Sequence, residues 1–469
     1  MIKLKYISTI LCIVYASLNF VYASSTPYEA SPIKTLVDLG LSKKCDIEPI
    51  FNGKACVYEI NPDAKETIVF IHGLNASAAR WYDQVAAVKD KYHIISFDLP
   101  GFGASTQGNK LYSPTNYAYF VNYIKKKHIK GPFYLVGHSM GGAIALRYSA
   151  MYPNDIKRLI LADVGGVLHQ YSFAKSVAFK WLKYIKEITY WALPGLQEIP
   201  SMHELANMFF QSLDWLPVDI RDALKVPELR EIILQGNSVS IAGAAVSSED
   251  FSGTIRGNKI PTLIVWGEYD LVTPIRTGEL LQARMSNAYL KVLPRAAHSA
   301  MNDQPTMFNQ LMLAHFTAAD SDIKNKGWKF RDFKLSKRIG RCSNESEKHF
   351  EGDYLRIELT NCKRAVMQNV NVGSIVAKNS DVYINKSQIK TKDIGIMLFD
   401  STLELSSSNI TAQVGIQTIR SHIDIAGADF NIGDAAVNNL GNSDAVFSVC
   451  LVNDKPLHQY KDFTIAGRI

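Results

Sequence analysis

The sequence predicts an α/β domain with a helical insertion, followed by a small all-β parallel β-helix. Three observations carry that expectation. Between about residues 45 and 318, short apolar runs each end in a turn bearing His, Ser, Asp or Gly, as at the edge of an open α/β sheet. One such turn, Gly137-His138-Ser139-Met140-Gly141-Gly142, lies between apolar Pro132–Val136 and helix-forming Ala143–Tyr148. After Phe316 the composition shifts toward Ile, Val, Asn, Ser and Asp, and it begins to repeat. With 469 residues and 47% apolar content, the chain is long enough for two packed cores.

The first element reads as a targeting segment. Met1-Ile2-Lys3-Leu4-Lys5 is basic, Ile10 to Val21 is apolar, and Tyr22-Ala23-Ser24 offers a small-residue cleavage site. That is the pattern of a signal peptide over 1–23, cut after Ala23, with export to the periplasm or beyond. Ser17 and Asn19 interrupt a run already too short to span a bilayer, and Cys12 has no lipobox before it. No later segment is expected to cross a membrane. In an oxidising compartment Cys45 pairs with Cys56 and Cys342 with Cys362 by proximity, leaving Cys450 as a buried thiol. The formal charge of +7, or +5 without Lys3 and Lys5, is mildly basic and does not point to nucleic acid.

The strands of the α/β domain follow in order. Thr67–Ile71 runs into His72-Gly73-Leu74-Asn75, and Tyr92–Phe97 into Asp98-Leu99-Pro100-Gly101-Phe102-Gly103-Ala104-Ser105. Pro132–Val136 runs into the Ser139 turn, where flanking glycines leave room for strained backbone. Arg158–Ala162 ends at Asp163, Pro261–Gly267 at Glu268-Tyr269-Asp270, and Tyr289–Leu293 at Pro294-Arg295-Ala296-Ala297-His298. An acyl-transfer serine needs a histidine base and a carboxylate to orient it, and the order Ser139, Asp270, His298 supplies both. No H-E-x-x-H, Cys/His cluster or phosphate loop occurs, so neither a catalytic metal nor a nucleotide cofactor is indicated.

Taken together, residues from about 45 to 318 resemble a serine α/β-hydrolase, of the branch containing monoacylglycerol lipases and acyl-carrier methyl ester esterases. The phrase from Asp98 to Ser105 closely matches that family's loop after its fourth strand. The resemblance implies oxyanion donors at the backbone amides of Leu74 and Met140, and no cofactor. It leaves Asp98, His72 and His138 as scaffold, with Asp163 an alternative position for the acid.

Between Asp163 and Pro261 lies an insertion that the core sheet does not require, a lid over about 165–255. Within it Trp181, Tyr184, Ile188 and Trp191 recur at helical spacing. This face either packs on the domain beneath or lines an acyl channel near a lipid surface. The aromatic content favours an ester with an apolar acyl chain.

Residues 319–354 read as a linker and entry segment and 355–469 as the repeat domain. Ser374–Ser380, Gly395–Ser401 and Gly415–Ser421 echo one another. Behind each come alternating pairs, Val382/Ile384, Leu403/Leu405 and Ile423/Ile425, and then Ile389, Ile410 and Phe430. A period near twenty residues with short strands is the signature of a β-solenoid, here a short right-handed parallel β-helix of about four turns. Its role stays open between a stabilising or oligomer-forming appendage and a surface that binds glycan or cell envelope. The reading for the whole chain is an exported serine esterase or lipase acting on a small-molecule or lipid ester. Carbon–carbon bond hydrolysis or aminopeptidase cleavage on the same fold is the alternative, as is a secreted binding protein whose β-helix is the working part.

Overall fold

The computed structural model describes residues 34–168 and 237–456. The signal segment 1–23 and the lid residues Trp181, Tyr184 and Trp191 lie outside the described residues.

The α/β domain is built on one eight-stranded sheet. Its strands are β1 (Ser42–Glu48), β2 (Gly53–Ile60), β3 (Thr67–Ile71), β4 (His93–Asp98), β5 (Phe133–His138), β6 (Ile156–Ala162), β7 (Thr262–Gly267) and β8 (Ala288–Leu293), in the order β1-β2-β4-β3-β5-β6-β7-β8. The first pairings, β1 with β2 and β2 with β4, are antiparallel and the rest are parallel. Strands β3 to β5 and β7 are buried at every position, as a sheet covered on both faces requires. The covering helices are α1 (Tyr82–Val88), α2 (Pro114–His128), α3 (Met140–Met151), α4 (Ser238–Ser248), α5 (Ser252–Arg256), α6 (Ile275–Arg284), α7 (Ala300–Asp303) and α8 (Pro305–Thr317). Cys45 and Cys56 face each other across β1 and β2 and form a disulfide. No helix among the described residues is long and apolar enough to cross a membrane.

The segment 319–354, read above as a linker and entry segment, carries a helix and two strands. A short helix, α9 (Asp320–Lys326), buries Ile323 in the core of the α/β domain. The solenoid begins at Ile339 rather than at 355, because β9 (Ile339–Ser343) already pairs in parallel with β11 (Asp353–Thr360). Its short sequence, Ile-Gly-Arg-Cys-Ser, hides the strand from a search for continuous apolar runs. The disulfide Cys342–Cys362 joins this first turn to the next.

The solenoid stacks its turns in register. One face comprises β10 (Lys348–Phe350), β12 (Ala365–Gln368), β14 (Asp381–Asn385), β17 (Thr402–Ser406), β19 (His422–Ala426) and β21 (Asp444–Ser448), all parallel. The remaining strands include β13 (Asn371–Lys378), β15 (Gln388–Lys390), β16 (Ile394–Phe399), β18 (Asn409–Ile419) and β20 (Asp429–Gly441), and they form the other wall. Val382, Leu403 and Ile423 stack inside, as do Ile384, Leu405 and Ile425, and also Ile389, Ile410 and Phe430. These are the residues the repeat pattern assigned to the interior. Cys450 is a free, buried thiol, and burial pushes it up to about 11.

Two stacked corners close each turn. Asn361, Asn379, Asp400, Arg420 and Asn442 all take left-handed backbone at one of them. The residue after the corner is a serine in four successive turns, Ser380, Ser401, Ser421 and Ser443. Ser401 Oγ accepts the Ser380 N–H at 3.1 Å, and Ser421 Oγ accepts the Ser401 N–H at 3.1 Å. Each hydroxyl donates in turn to a carbonyl of its own turn, as Ser401 does to Phe399 O at 2.7 Å. The buried corner amides, which no strand partner can reach, are thereby satisfied. We expect Ser401→Ala to lower stability by about 1–2 kcal/mol in denaturant unfolding, since it leaves the Ser380 amide unpaired.

Candidate active site

The site gathers at the carboxyl ends of β3, β5, β6, β7 and β8. Strand β5 delivers Ser139 in left-handed backbone, φ 53° and ψ −121°, directly before α3. A Cβ at Gly141 would lie 2.4 Å from the carbonyls of Ile71 and His72, and one at Gly137 would lie 2.3 Å from Gly141 O. Glycine at both places is therefore what lets β3, β5 and α3 close around the strained serine.

His298, in the loop after β8, spans Ser139 and Asp270. Its Nε2 is 3.0 Å from Ser139 Oγ and its Nδ1 is 3.0 Å from Asp270 Oδ2. Asp270 is fully buried. Its carboxylate accepts the N–H groups of Val272 (2.8 Å) and Thr273 (2.9 Å), and the Thr273 hydroxyl (2.6 Å). Burial by itself raises this carboxyl, but the bond and charge of His298 and the Thr273 bonds outweigh it and hold the group below its ordinary range. The aspartate is thus kept charged beside the imidazole.

The turns around these three residues are held by groups that do not face the serine. His72 Nε2 accepts the Leu99 N–H at 2.9 Å, so its Nδ1 carries the proton and donates to Gly73 O at 2.7 Å. Burial pushes this histidine down to about 4, which keeps it neutral. His138 Nε2 donates to His298 O at 2.6 Å, fixing the backbone of His298. Asp98 accepts the amides of Ala78 (2.8 Å) and Ala104 (2.9 Å). Glu268 is exposed and accepts the Arg295 N–H at 3.0 Å.

Leu74 and Met140 follow the two turns that meet at Ser139. A Cβ on Gly73 would stand 2.9 Å from Ser139 Cβ, which brings the His72-Gly73-Leu74 turn against the serine. Met140 opens α3, so its N–H is among those a helix leaves without an intrahelical acceptor, at the positive end of the dipole.

Asp163 has a different position from that of an acid. Its Oδ1 accepts the Gly267 N–H at 2.8 Å and its Oδ2 the Ala300 N–H at 3.1 Å. One carboxylate thus ties the start of the Asp270 loop to the backbone just beyond His298. Burial and then the nearby charge of Asp270 push its carboxyl well above the usual range. Thr273 shares its hydroxyl between Asp270 and the Asp163 carbonyl, 3.2 Å away. Neither role is visible in the sequence, where the only signal is an Asp ending a strand and a Thr three residues after Asp270. Among the described residues no group of three or more His, Cys, Asp or Glu side chains converges as a metal site would.

Comparisons with known proteins agree with this architecture. A family model of the alpha/beta hydrolase fold matches residues 66–305. Monoacylglycerol lipase ABHD6 of Mus musculus is 27% identical over 283 residues, covering 56% of this chain and 79% of that protein. The Homo sapiens protein of the same name is 25% identical over 275 residues, with the same coverage. Among solved structures, a putative lipase from Acinetobacter baumannii is similar at 20% identity and a TM-score of 0.43, covering 64% of this chain and 99% of that one. The chain belongs to the alpha/beta hydrolase fold family.

Proposed function

We propose that this protein is a serine carboxylester hydrolase, an esterase or lipase, working through an acyl-enzyme on Ser139. The observation that carries the reading is the unbroken series Ser139 Oγ, His298, Asp270, with 3.0 Å at each step. His298 takes the Ser139 proton as Oγ attacks the ester carbonyl. The imidazolium, held by the charged Asp270, then delivers that proton to the leaving alcohol. The amides of Leu74 and Met140 receive the oxyanion. Water, deprotonated by His298, attacks the acyl carbonyl, and the imidazolium returns that proton to Ser139 Oγ as the acyl–oxygen bond breaks.

An apolar acyl chain is the substrate class we favour. The relatives named monoacylglycerol lipase support it, and so does the wall beside the serine. Gly165 lies against Ser139, Gly166 against Val246 of α4, and Gly243 of α4 against Leu74, with Val167 and Leu168 buried next to them. The side chains there are small or apolar and offer a substrate no charged partner. Export fits the basic and apolar N-terminus, and both disulfides suit an oxidising compartment.

A fluorophosphonate probe is expected to label the wild type and not Ser139→Ala, and a folded wild type that stays unlabelled would sink the esterase reading. Asp270→Asn should keep the fold and lower kcat about 10³–10⁴-fold in p-nitrophenyl ester assays. Because Asp270 titrates below the ordinary carboxylate range, the acid limb of log kcat/KM should show a single-proton slope with no added step from this carboxyl. Profiling from acetate to long acyl esters tests the substrate class, and a best rate on acetate with steady decline overturns it.

A further inference from the structure

The solenoid is seated on α6, the helix that follows the Asp270 loop. Ala426 and Val449, on its corner, belong to the hydrophobic core of the α/β domain. Gly427 turns that corner at φ 63°, where a Cβ would meet Leu280 Cγ of α6 at 2.8 Å. Arginines of the α/β domain then reach across the contact. Arg284, at the end of α6, donates to Asp429 Oδ2 (2.8 Å), Asn409 Oδ1 (3.0 Å) and Ser408 O (2.8 Å).

The most committed of these is Arg276, in the first turn of α6. It is buried, and so is its partner Asp424. Its Nε donates to Ser406 Oγ at 2.6 Å, Nη1 to Asp424 Oδ2 at 2.8 Å, and Nη2 to Leu405 O at 3.3 Å and Asp424 O at 3.4 Å. A buried ion pair is a poor source of net stability, because desolvation offsets the attraction. What a planar guanidinium held by several acceptors does supply is a fixed position.

The position it holds is next to the candidate acid. Thr273 stands between Asp270 and Arg276, binding the Asp270 carboxylate through its N–H and its hydroxyl. The Thr273 carbonyl accepts Trp266 Nε1 at 3.2 Å, and the Thr277 N–H closes on Pro274 O at 2.9 Å. From Asp270 to Arg276 the chain is therefore one short, hydrogen-bonded piece, pinned by the sheet at one end and by the solenoid at the other.

We propose that Arg276, anchored on the solenoid through Ser406 and Asp424, is a positioning residue for Asp270. The C-terminal solenoid is then a fixed wall of the hydrolase rather than a detachable appendage. The inference rests on the esterase reading of Ser139, and the two are separable by test. In the full-length chain, Arg276→Met and Ser406→Ala are compared with Arg420→Met, which alters an exposed arginine paired to Asp400 within the solenoid. The expected result for Arg276→Met is a kcat on p-nitrophenyl esters lower by about ten- to a hundredfold with little change in KM. A loosened carboxylate stabilises the imidazolium less, so the acid limb of its pH profile should move to lower pH. Arg276→Lys, which lacks the fork, should recover only part of the rate, and Arg420→Met should match wild type. Ser406→Ala keeps both buried charges and, with a smaller loss of the same kind, carries the test if Arg276→Met does not fold.

Amide hydrogen exchange supplies a readout that needs no activity. The Val272 and Thr273 amides should exchange faster in the folded Arg276 and Ser406 variants than in wild type. Wild-type kcat, acid limb and exchange in those variants would overturn the proposal. A wild type that fails to label while its Arg276 variant still loosens the Thr273 amide would overturn the esterase reading alone.

Discussion

A carboxylate taken out of water must have its oxygens met, and two such carboxylates at the edge of the sheet govern the geometry around Ser139. Asp163 uses both oxygens on backbone amides, one from the loop that carries Asp270 and one from just beyond His298. Asp270 uses its oxygens on Thr273, Val272 and His298. The loops after β7 and β8 have few ways to satisfy both groups at once, so their paths are set before any substrate arrives. The strained backbone of Ser139 belongs to the same arrangement, because the glycines beside it also let β3, β5 and α3 approach closely.

The solenoid follows the same rule with different chemistry. A parallel stack supplies hydrogen bonds along its strands but not at its corners, where the backbone turns inward and leaves buried amides. Serine hydroxyls repeated at the corner answer that need from turn to turn, at Ser380, Ser401 and Ser421. At the corner facing α6 the pattern changes. Gly427 and Ala428 replace the bulkier Ser407 and Ser408 of the preceding turn, which lets Leu280 and the arginines of the α/β domain approach. The two parts of the chain thus share a core and a set of charges.

Much of this architecture was legible in the residues. The Gly137 to Gly142 turn, Asp270 and His298 each close an apolar run, and the ends of neighbouring parallel strands are necessarily close in space. The interior of the solenoid was legible for a similar reason, since side chains alternate in and out and a period near twenty residues brings Val382, Leu403 and Ile423 into one stack. Where the solenoid begins was harder to read. Ile339–Ser343 is mostly charged or small and becomes a strand only because β11 lies beside it.

The sequence by itself determined the order of chemistry along the chain and the faces that must be buried, because local turns and periodicity depend only on neighbouring residues. The tertiary structure alone decided which buried polar groups serve one another. Asp163 and Asp270 each end a strand, yet only the second meets His298, and Arg276 finds Asp424 across 148 positions of sequence. Such pairings depend on distances between elements, and these follow from how the sheet, α6 and the solenoid pack together.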